Sequence, residues 1–255
     1  MNTRSIFDSP EFNANLFFPR PDLSPAPSGK VEIFAHVDDF VHVHVRQYPF
    51  PEAKLSLIYF HGNGEIVSDY DDMEDAYRRL GAELIVCDYR GYGKSQGLPT
   101  LRTVLQDAHM IYETLRSKCF PKPVFVMGRS LGSASAIELC ANHKEIAGCI
   151  IESGYADPIP LVERRGLKVQ SITPEDDAIF NNSRKIAQLT CPLLIMHGAE
   201  DCLISPKEAE LNYQQAGSRL KTLKILDGVG HNDIIMAKSY FPCLQEFFTN
   251  VLQSA

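Results

Sequence analysis

The chain alternates between short apolar runs and longer stretches in which apolar residues recur every three to four positions. The apolar runs cover residues 55–60, 83–88, 124–127, 147–152, 192–196 and 223–226. Runs of this length suit parallel strands that are buried on both faces. Stretches of helical period lie between them, at 67–80, at 101–115 and from about 235 to 251. The pattern therefore predicts an α/β fold with a mainly parallel, twisted sheet and helices on both faces.

A different pattern precedes the first of these runs. Residues 41–45 alternate valine with histidine, which is typical of a half-buried strand, and residues 31–37 form a plausible hairpin partner. These two strands predict an antiparallel N-terminal edge. Prolines cluster over residues 19–28, so we expect residues 1–29 to form an extended arm and residues 30–255 to form the hydrolytic or binding domain.

The connection after Glu152 is longer than one crossover helix needs before the next strand begins at Pro192. The surplus predicts a small lid over about residues 155–188. Most of its apolar side chains should pack its own helices, and one or two should line a ligand pocket. A lid this short favours a small pocket.

Composition narrows the possible functions. A length of 255 residues, with 44% hydrophobic and 22% charged residues, fits one large globular domain. Twenty-five Lys and Arg against 32 Asp and Glu give a net charge of −7, so no basic stripe is available for nucleic acid. No run reaches the 18 apolar residues of a membrane span, and integral membrane association is not expected. The seven cysteines lack metal-site spacing, which predicts reduced thiols in a soluble, cytoplasmic protein.

Neither a metal nor a cofactor is predicted. His42 and His44 share one face of a strand and His36 lies near them, but no carboxylate or thiol completes a tetrahedral set in the sequence. We therefore interpret these histidines as a solvated strand face. The expected partner is a small molecule, and the sequence leaves the oligomeric state open.

The strongest candidate for a nucleophile is Ser130, within Gly-Arg-Ser-Leu-Gly at residues 128–132. This string follows an apolar run directly and leads into a helix of small residues. A nucleophile on a strained strand-to-helix turn needs small neighbours, because its backbone approaches adjacent segments closely. The alternative is a glycine-rich turn that merely opens a helix, and the strand–turn–helix context favours the nucleophile.

A serine hydroxyl needs a base, a group that holds the base, and donors for the oxyanion. His231 follows the run at 223–226 within a flexible turn, and Asp201 follows the run at 192–196. Glu200 and Asp233 remain competing candidates for the carboxylate. The order Ser, Asp, His is that of the α/β-hydrolase triad.

Small residues at 61–64, after the first parallel strand, allow the backbone N–H of Asn63 to point at the substrate oxygen beside that of Leu131. His61 is interpreted as a structural residue of this turn. Five further residues are expected to contact the substrate: Gly62, Gly64, Arg129, Ser153 and Tyr155.

Taken in order, the motifs resemble those of the α/β-hydrolase superfamily. They are Tyr-Phe-His-Gly-Asn-Gly at 59–64, Asp-Tyr-Arg-Gly-Tyr-Gly-Lys-Ser at 88–95, Gly-Arg-Ser-Leu-Gly at 128–132, His-Gly-Ala-Glu-Asp at 197–201 and Gly-His-Asn-Asp at 230–233. Within the superfamily, the chain is similar to small serine hydrolases near the protein depalmitoylases and the serine aminopeptidase-like esterases.

The resemblance covers about residues 30–252 and implies an α/β-hydrolase fold. It also implies Ser130 as nucleophile, Asp201 as acid and His231 as base, with Asn63 and Leu131 as oxyanion donors. The chain shows neither the N-terminal cysteine cluster nor the membrane helix of membrane-associated relatives. Action on membrane-tethered lipidated proteins is therefore not expected.

The first hypothesis is a serine hydrolase that cleaves carboxylic esters or thioesters through an acyl-enzyme intermediate. A serine aminopeptidase or an acyl transferase would use the same residues. The third hypothesis is a receptor or scaffold that has the fold without catalysis. The chain has Ser130, Asp201, His231 and the oxyanion turn together. This complete set argues against the receptor or scaffold hypothesis, because a protein without catalytic activity needs none of these residues.

Overall fold

The computed structural model describes residues 5–119 and 122–254, which contain one sheet with helices on both of its faces. The strands are β1 (Val31–Asp38), β2 (Val41–Gln47), β3 (Leu55–Phe60), β4 (Ala82–Cys87), β5 (Val124–Arg129), β6 (Gly148–Glu152), β7 (Leu193–Gly198) and β8 (Lys221–Leu226). The helices are α1 (Pro10–Leu16), α2 (Glu74–Arg79), α3 (Leu101–Cys119), α4 (Ser133–Asn142), α5 (Ile159–Glu163), α6 (Pro174–Phe180), α7 (Asn182–Lys185), α8 (Pro206–Gln215) and α9 (Tyr240–Ser254).

The strand order is β1-β2-β4-β3-β5-β6-β7-β8. The β1–β2 and β2–β4 pairs are antiparallel, and the pairs from β4 to β8 are parallel. This arrangement confirms the predicted α/β-hydrolase type of fold, with its antiparallel N-terminal edge. It also brings the carboxyl ends of β3, β5 and β7 to one edge of the sheet, where ligands bind in sheets of this kind.

The central strands β3 to β7 are buried at every position, as their apolar runs predict. The last strand, β8, differs from that prediction. Of its six residues, three are partly buried and two are exposed, and Ile225, one of these two, is 37% exposed. The reason is its place at the edge of the sheet, where no further strand covers its outer side.

The helices follow the predicted periodicity with two interruptions. Helix α3 covers the stretch predicted at 101–115. The stretch at 67–80 is a 3₁₀ turn, Val67–Tyr70, followed by the short helix α2. The stretch after 235 likewise begins with a separate 3₁₀ turn, Ile234–Met236, before α9. Apolar spacing alone does not reveal such breaks.

The prediction of an extended arm over residues 1–29 was wrong for the start of the described chain. Helix α1 begins after Ser9, whose hydroxyl accepts a hydrogen bond from the Phe12 N–H (3.1 Å), and Pro10 stands in its first turn. Phe7, Phe12 and Leu16 are buried in the main core. A serine cap, a proline at the first helical position and apolar residues at helical spacing are signals for a packed helix.

Helices α5, α6 and α7 lie within the predicted lid at residues 155–188. Helices α5 and α6 pack on the N-terminal segment, with the ring centroids of Phe180 and Phe7 4.2 Å apart. The lid and the N-terminal segment thus meet above the carboxyl edge of the sheet.

Candidate active site

Ser130 lies on a strained turn at the end of β5. Its φ is 51°, in the left-handed region that side chains other than glycine rarely adopt. A Cβ on Gly128 would lie 2.2 Å from the carbonyl oxygen of Gly132, and a Cβ on Gly132 would lie 2.1 Å from that of Phe60. Both positions therefore require glycine, as the sequence argument for this turn expects.

Three side chains meet at this turn although they are far apart in the sequence. Nε2 of His231 lies 3.0 Å from Oγ of Ser130, and Nδ1 of His231 lies 2.7 Å from Oδ2 of Asp201. All three residues are at most 8% exposed. The imidazole therefore bridges a hydroxyl and a carboxylate, which is the geometry that general-base activation of a serine requires.

The other oxygen of Asp201, Oδ1, accepts hydrogen bonds from the N–H groups of Leu203 (2.9 Å) and Ile204 (2.8 Å). Burial of Asp201 raises its carboxyl pKa, but hydrogen bonds from His197, His231 and the Ile204 N–H outweigh that effect and lower it well below the usual value. The carboxylate is therefore ionised at neutral pH.

The two competing carboxylates lie elsewhere. Glu200 is exposed. Asp233 is also exposed, and its Oδ1 accepts a hydrogen bond from the Gly230 N–H (2.7 Å). Its side chain thus closes the turn that carries His231.

The predicted oxyanion turn follows β3, and the N-terminal segment holds its Asn63 side chain in place. Nδ2 of Asn63 donates to the Leu16 carbonyl (2.5 Å). Oδ1 accepts from the Phe18 N–H (2.9 Å) and the Tyr92 hydroxyl (2.6 Å). These contacts with the N-terminal segment and Tyr92 fix the Asn63 side chain, and the oxyanion role of its backbone N–H stays a prediction.

A buried carboxylate supports the same turn from below. Asp88 lies 3.1 Å from Nε2 of His61 and 3.0 Å from Nδ1 of His44. Burial raises the Asp88 pKa, and the hydrogen bonds from His44 and His61 outweigh it and lower the pKa overall. His61 is thus structural, as expected, whereas the prediction of a solvated face was wrong for His44, which is fully buried. Within residues 5–119 and 122–254 no cluster of three or more His, Cys, Asp or Glu side chains is suited to a metal ion.

Arg129 was predicted to contact substrate, and it lines the cavity, but its guanidinium mainly holds protein groups. It forms ion pairs with Glu65 and with Glu152 (Nε to Oε1, 3.1 Å). It also donates to the backbone carbonyl of His231 (3.0 Å) and to Oδ1 of Asn232 (3.2 Å). Burial lowers the Arg129 pKa, and the charges of the two glutamates more than reverse this. Arg129 therefore positions the histidine turn.

Replacing Arg129 with methionine should destabilise the protein. The change leaves Glu152, whose pKa burial raises, without its cation in the core. Removing one partner of a buried pair costs about 3–5 kcal/mol, and we expect a loss of about 3 kcal/mol because Glu65 is partly exposed. Denaturant unfolding measures the loss. The matched control is Arg184→Met, which removes an exposed ion pair and should cost less than about 1 kcal/mol. Equal losses in the two variants would contradict this role for Arg129.

A cavity of about 250 Å³ opens onto the Ser130 hydroxyl. It has an apolar wall and a smaller polar wall. Its lining residues are Leu16, Phe18, Asn63, Arg129, Ser130, Leu131, Leu161, Arg165, Leu203, Ile204, His231 and Asn232. The N-terminal segment, the oxyanion turn, the lid and the Asp201 loop thus all contribute to it.

Four predicted substrate contacts lie outside this lining. Ser153 and Tyr155 are fully buried, and the Tyr155 carbonyl accepts hydrogen bonds from the side chains of Asn182 and Asn212 (3.1 Å each). The chain turns inward after β6, which buries them. Gly62 and Gly64 are also outside it; their backbone groups bond to Glu65 (2.7 Å) and Arg20 (2.7 Å) respectively.

Leu161 belongs to the apolar lid residues of which one or two were expected to line the pocket, but sequence reasoning missed the rest of the apolar wall: Leu16, Phe18, Leu203 and Ile204. Two of these come from the N-terminal segment, and the serine–proline helix start at residues 9–10 was the signal available for its packing. No comparable signal marks Arg165 or Asn232, because their approach to Ser130 depends on how the lid and loops fold.

Comparisons with known proteins identify the family of this chain. Residues 51–173 and 157–235 match the sequence profile of a family described as serine aminopeptidase, S33. The chain belongs to this family. It is also 30% identical over 208 residues to human (Homo sapiens) alpha/beta hydrolase domain-containing protein 17B, an alignment that covers 79% of this chain and 69% of that protein. The protein is thus a hydrolase of the α/β-hydrolase superfamily.

Solved structures share the fold at low identity. The Pyrococcus furiosus esterase Pf2001 superposes with a TM-score of 0.74 at 18% identity, covering 91% of this chain and 99% of that one. Acetyl xylan esterase 1 from Thermoanaerobacterium gives a TM-score of 0.70 at 17% identity over 94% and 92% of the two chains. In the family member studied here, no helix among the described residues has the length and apolar character to cross a membrane.

Proposed function

We propose that the protein is a serine hydrolase that cleaves carboxylic esters or thioesters through an acyl-enzyme intermediate. One observation supports the proposal. A continuous chain of hydrogen bonds runs from Asp201 through His231 to Ser130, and Ser130 lines the cavity. Such a chain activates a serine hydroxyl as a nucleophile at neutral pH.

In the proposed mechanism, Oγ of Ser130 attacks the substrate carbonyl carbon while Nε2 of His231 takes the hydroxyl proton. Asp201 keeps the proton on Nδ1 and stabilises the imidazolium that forms. The N–H groups of Asn63 and Leu131 bind the oxyanion. The imidazolium then protonates the leaving alcohol or thiol, and the carbon–oxygen or carbon–sulfur bond breaks. Water, deprotonated by His231, attacks the acyl-enzyme and releases the acid and free Ser130.

The charge of the cavity argues against the aminopeptidase alternative. Such an enzyme must bind the substrate's free amino group, a cation, close to the scissile bond. Among the described residues that line the cavity, the charged side chains apart from His231 are two arginines, Arg129 and Arg165, and none is acidic. A free ammonium group would therefore enter without an ionic partner.

A series of p-nitrophenyl esters from acetate to palmitate tests this function and the size of the pocket. Each additional buried CH₂ contributes about 0.8 kcal/mol, so kcat/KM should rise about fourfold per carbon until the acyl chain fills the cavity. We expect a maximum at short or medium chains and then a fall, because about 250 Å³ lies below the range of drug-sized pockets. An unbroken rise to palmitate, or activity only above the micellar threshold, would indicate a lipase-like enzyme instead.

A further inference from the structure

The permanently charged side chains that line the cavity above Ser130 are arginines. The net charge of the chain is −7, yet no described residue that lines the cavity is Asp or Glu. Arg129 and Arg165 are both among the lining residues. The lining therefore offers a ligand cationic groups and no carboxylate.

Only one of the two arginines has its charge balanced by carboxylates. Arg129 pairs with Glu65 and Glu152. The guanidinium of Arg165 donates to the Asn15 carbonyl and lies over the Phe18 ring, 4.7 Å from its centroid. No carboxylate within residues 5–119 and 122–254 forms an ion pair with Arg165. A guanidinium has five N–H donors, so most of its donors remain open to a ligand.

The surroundings of Arg165 add to its need for an anion. Burial and the neighbouring charge of Arg164 lower the Arg165 pKa, although a guanidinium stays protonated at neutral pH. The positive charge therefore stays on a side chain whose guanidinium lies over the Phe18 ring and which a ligand can reach from the solvent. An anionic ligand group would pair with it through charge-assisted hydrogen bonds, which are stronger than neutral ones.

The apolar wall places Arg165 within reach of a particular kind of substrate. Leu161 and Arg165 lie four residues apart, one helical turn, at α5 and its C-terminal end, and both line the cavity. Phe18 provides a second apolar surface beside them. An apolar stem that ends in an anion fits this wall, whereas a plain alkyl chain would bury the guanidinium further without giving it a partner.

We propose that Arg165 makes the enzyme selective for esters or thioesters that carry an anionic group, a carboxylate or a phosphate, in addition to the scissile bond. The inference rests on the proposed hydrolase function and identifies its substrate class. Arg165 is thus a specificity residue that touches the substrate and leaves the chemistry of Ser130 unchanged.

Two matched substrate pairs test the proposal and locate the anion. Mono-p-nitrophenyl adipate differs from p-nitrophenyl hexanoate by a carboxylate at the acyl end. Hexanoyl-4′-phosphopantetheine differs from hexanoylpantetheine only by a phosphate on the leaving group. We expect the wild-type kcat/KM, corrected for spontaneous hydrolysis, to favour the anionic member of one pair by about tenfold. The preference should shrink as ionic strength rises, because salt screens exposed charges.

Three variants separate charge recognition from structure. Arg165→Gln should abolish the preference, measured as the ratio of kcat/KM for the anionic and neutral members within the same variant, because glutamine keeps a polar side chain without the charge. Arg165→Lys should keep part of the preference, since it retains the charge without the planar fork. The matched control is Arg164→Gln, an exposed neighbour outside the cavity lining, which should keep the full preference. Equal thermal midpoints confirm that all three fold.

The outcomes distinguish this inference from the function on which it rests. Hydrolysis of the neutral members with no preference in either pair, or an equal loss for both members in Arg165→Gln, overturns the role of Arg165 and leaves the hydrolase proposal intact. Absence of hydrolysis of all four substrates by wild type overturns the hydrolase proposal, and the inference falls with it.

Discussion

Replacing Ser130 with alanine is expected to lower kcat for p-nitrophenyl hexanoate by about 10⁶-fold, as loss of the nucleophile does in a comparable serine hydrolase. The residual rate comes from binding and from the oxyanion donors. The variant should also lose covalent labelling by a fluorophosphonate, which reacts only with an activated hydroxyl. Stopped assays and intact mass spectrometry measure the two effects. Folding should be nearly unchanged, because alanine removes only the oxygen that faces His231.

Ser153 supplies the matched control for this experiment. It follows the adjacent strand β6, and its φ of 47° resembles the 51° of Ser130. It is fully buried, however, and lies outside the cavity lining. We expect Ser153→Ala to keep both labelling and hydrolysis. Labelling that persists in Ser130→Ala and disappears in Ser153→Ala would assign the nucleophile to Ser153.

Much of the fold follows from local patterns that the sequence displays directly. The runs at 55–60, 83–88 and 147–152 became strands within one residue of their predicted limits, because buried parallel strands need uninterrupted apolar residues. The need for glycine on both sides of Ser130 could also be predicted from the sequence. A Cβ at either position would lie 2.1–2.2 Å from a backbone oxygen of the turn itself or of the adjacent strand.

Partnerships between distant residues could not be predicted in this way. Arg129 was expected to face the substrate, and its ion pairs with Glu65 and Glu152 depend on three separate strand ends meeting at one edge. The N-terminal segment presents a related case. Its prolines suggested an extended arm, while the structure shows that Leu16 and Phe18 bind Asn63 and line the cavity. A local sequence pattern does not predict which part of the folded domain a segment will pack against.

The cavity is small because segments that are far apart in the sequence pack around it. The N-terminal segment closes one side and the lid closes another, and Arg165 joins them by donating to the Asn15 carbonyl. The cavity thus depends on contacts that neither segment makes alone. In the proposed function, substrate size and substrate charge are therefore set mainly outside the parallel sheet, and the chemistry is set at its carboxyl edge.

Asp201→Asn is expected to lower kcat by about 10⁴-fold, the loss that the same change causes in a comparable triad. Oδ2 of Asp201 accepts the Nδ1 proton of His231 at 2.7 Å. In the variant, the amide NH₂ occupies this position, because Oδ1 must still accept from the N–H groups of Leu203 and Ile204. An NH₂ group donates, so the imidazole moves its proton to Nε2 and can no longer accept one from Ser130.

The change of the His231 tautomer in Asp201→Asn distinguishes an orienting role of Asp201 from a purely structural role. The backbone bonds to the Asp201 position survive in the variant, so the protein should fold and still bind a neutral ester, with KM changed far less than kcat. Glu200→Gln is the matched control, since it makes the same chemical change one residue away on an exposed side chain. It should retain nearly full kcat. A large loss in Glu200→Gln together with a near-normal Asp201→Asn would move the orienting role to Glu200, against the 2.7 Å contact between Asp201 and His231.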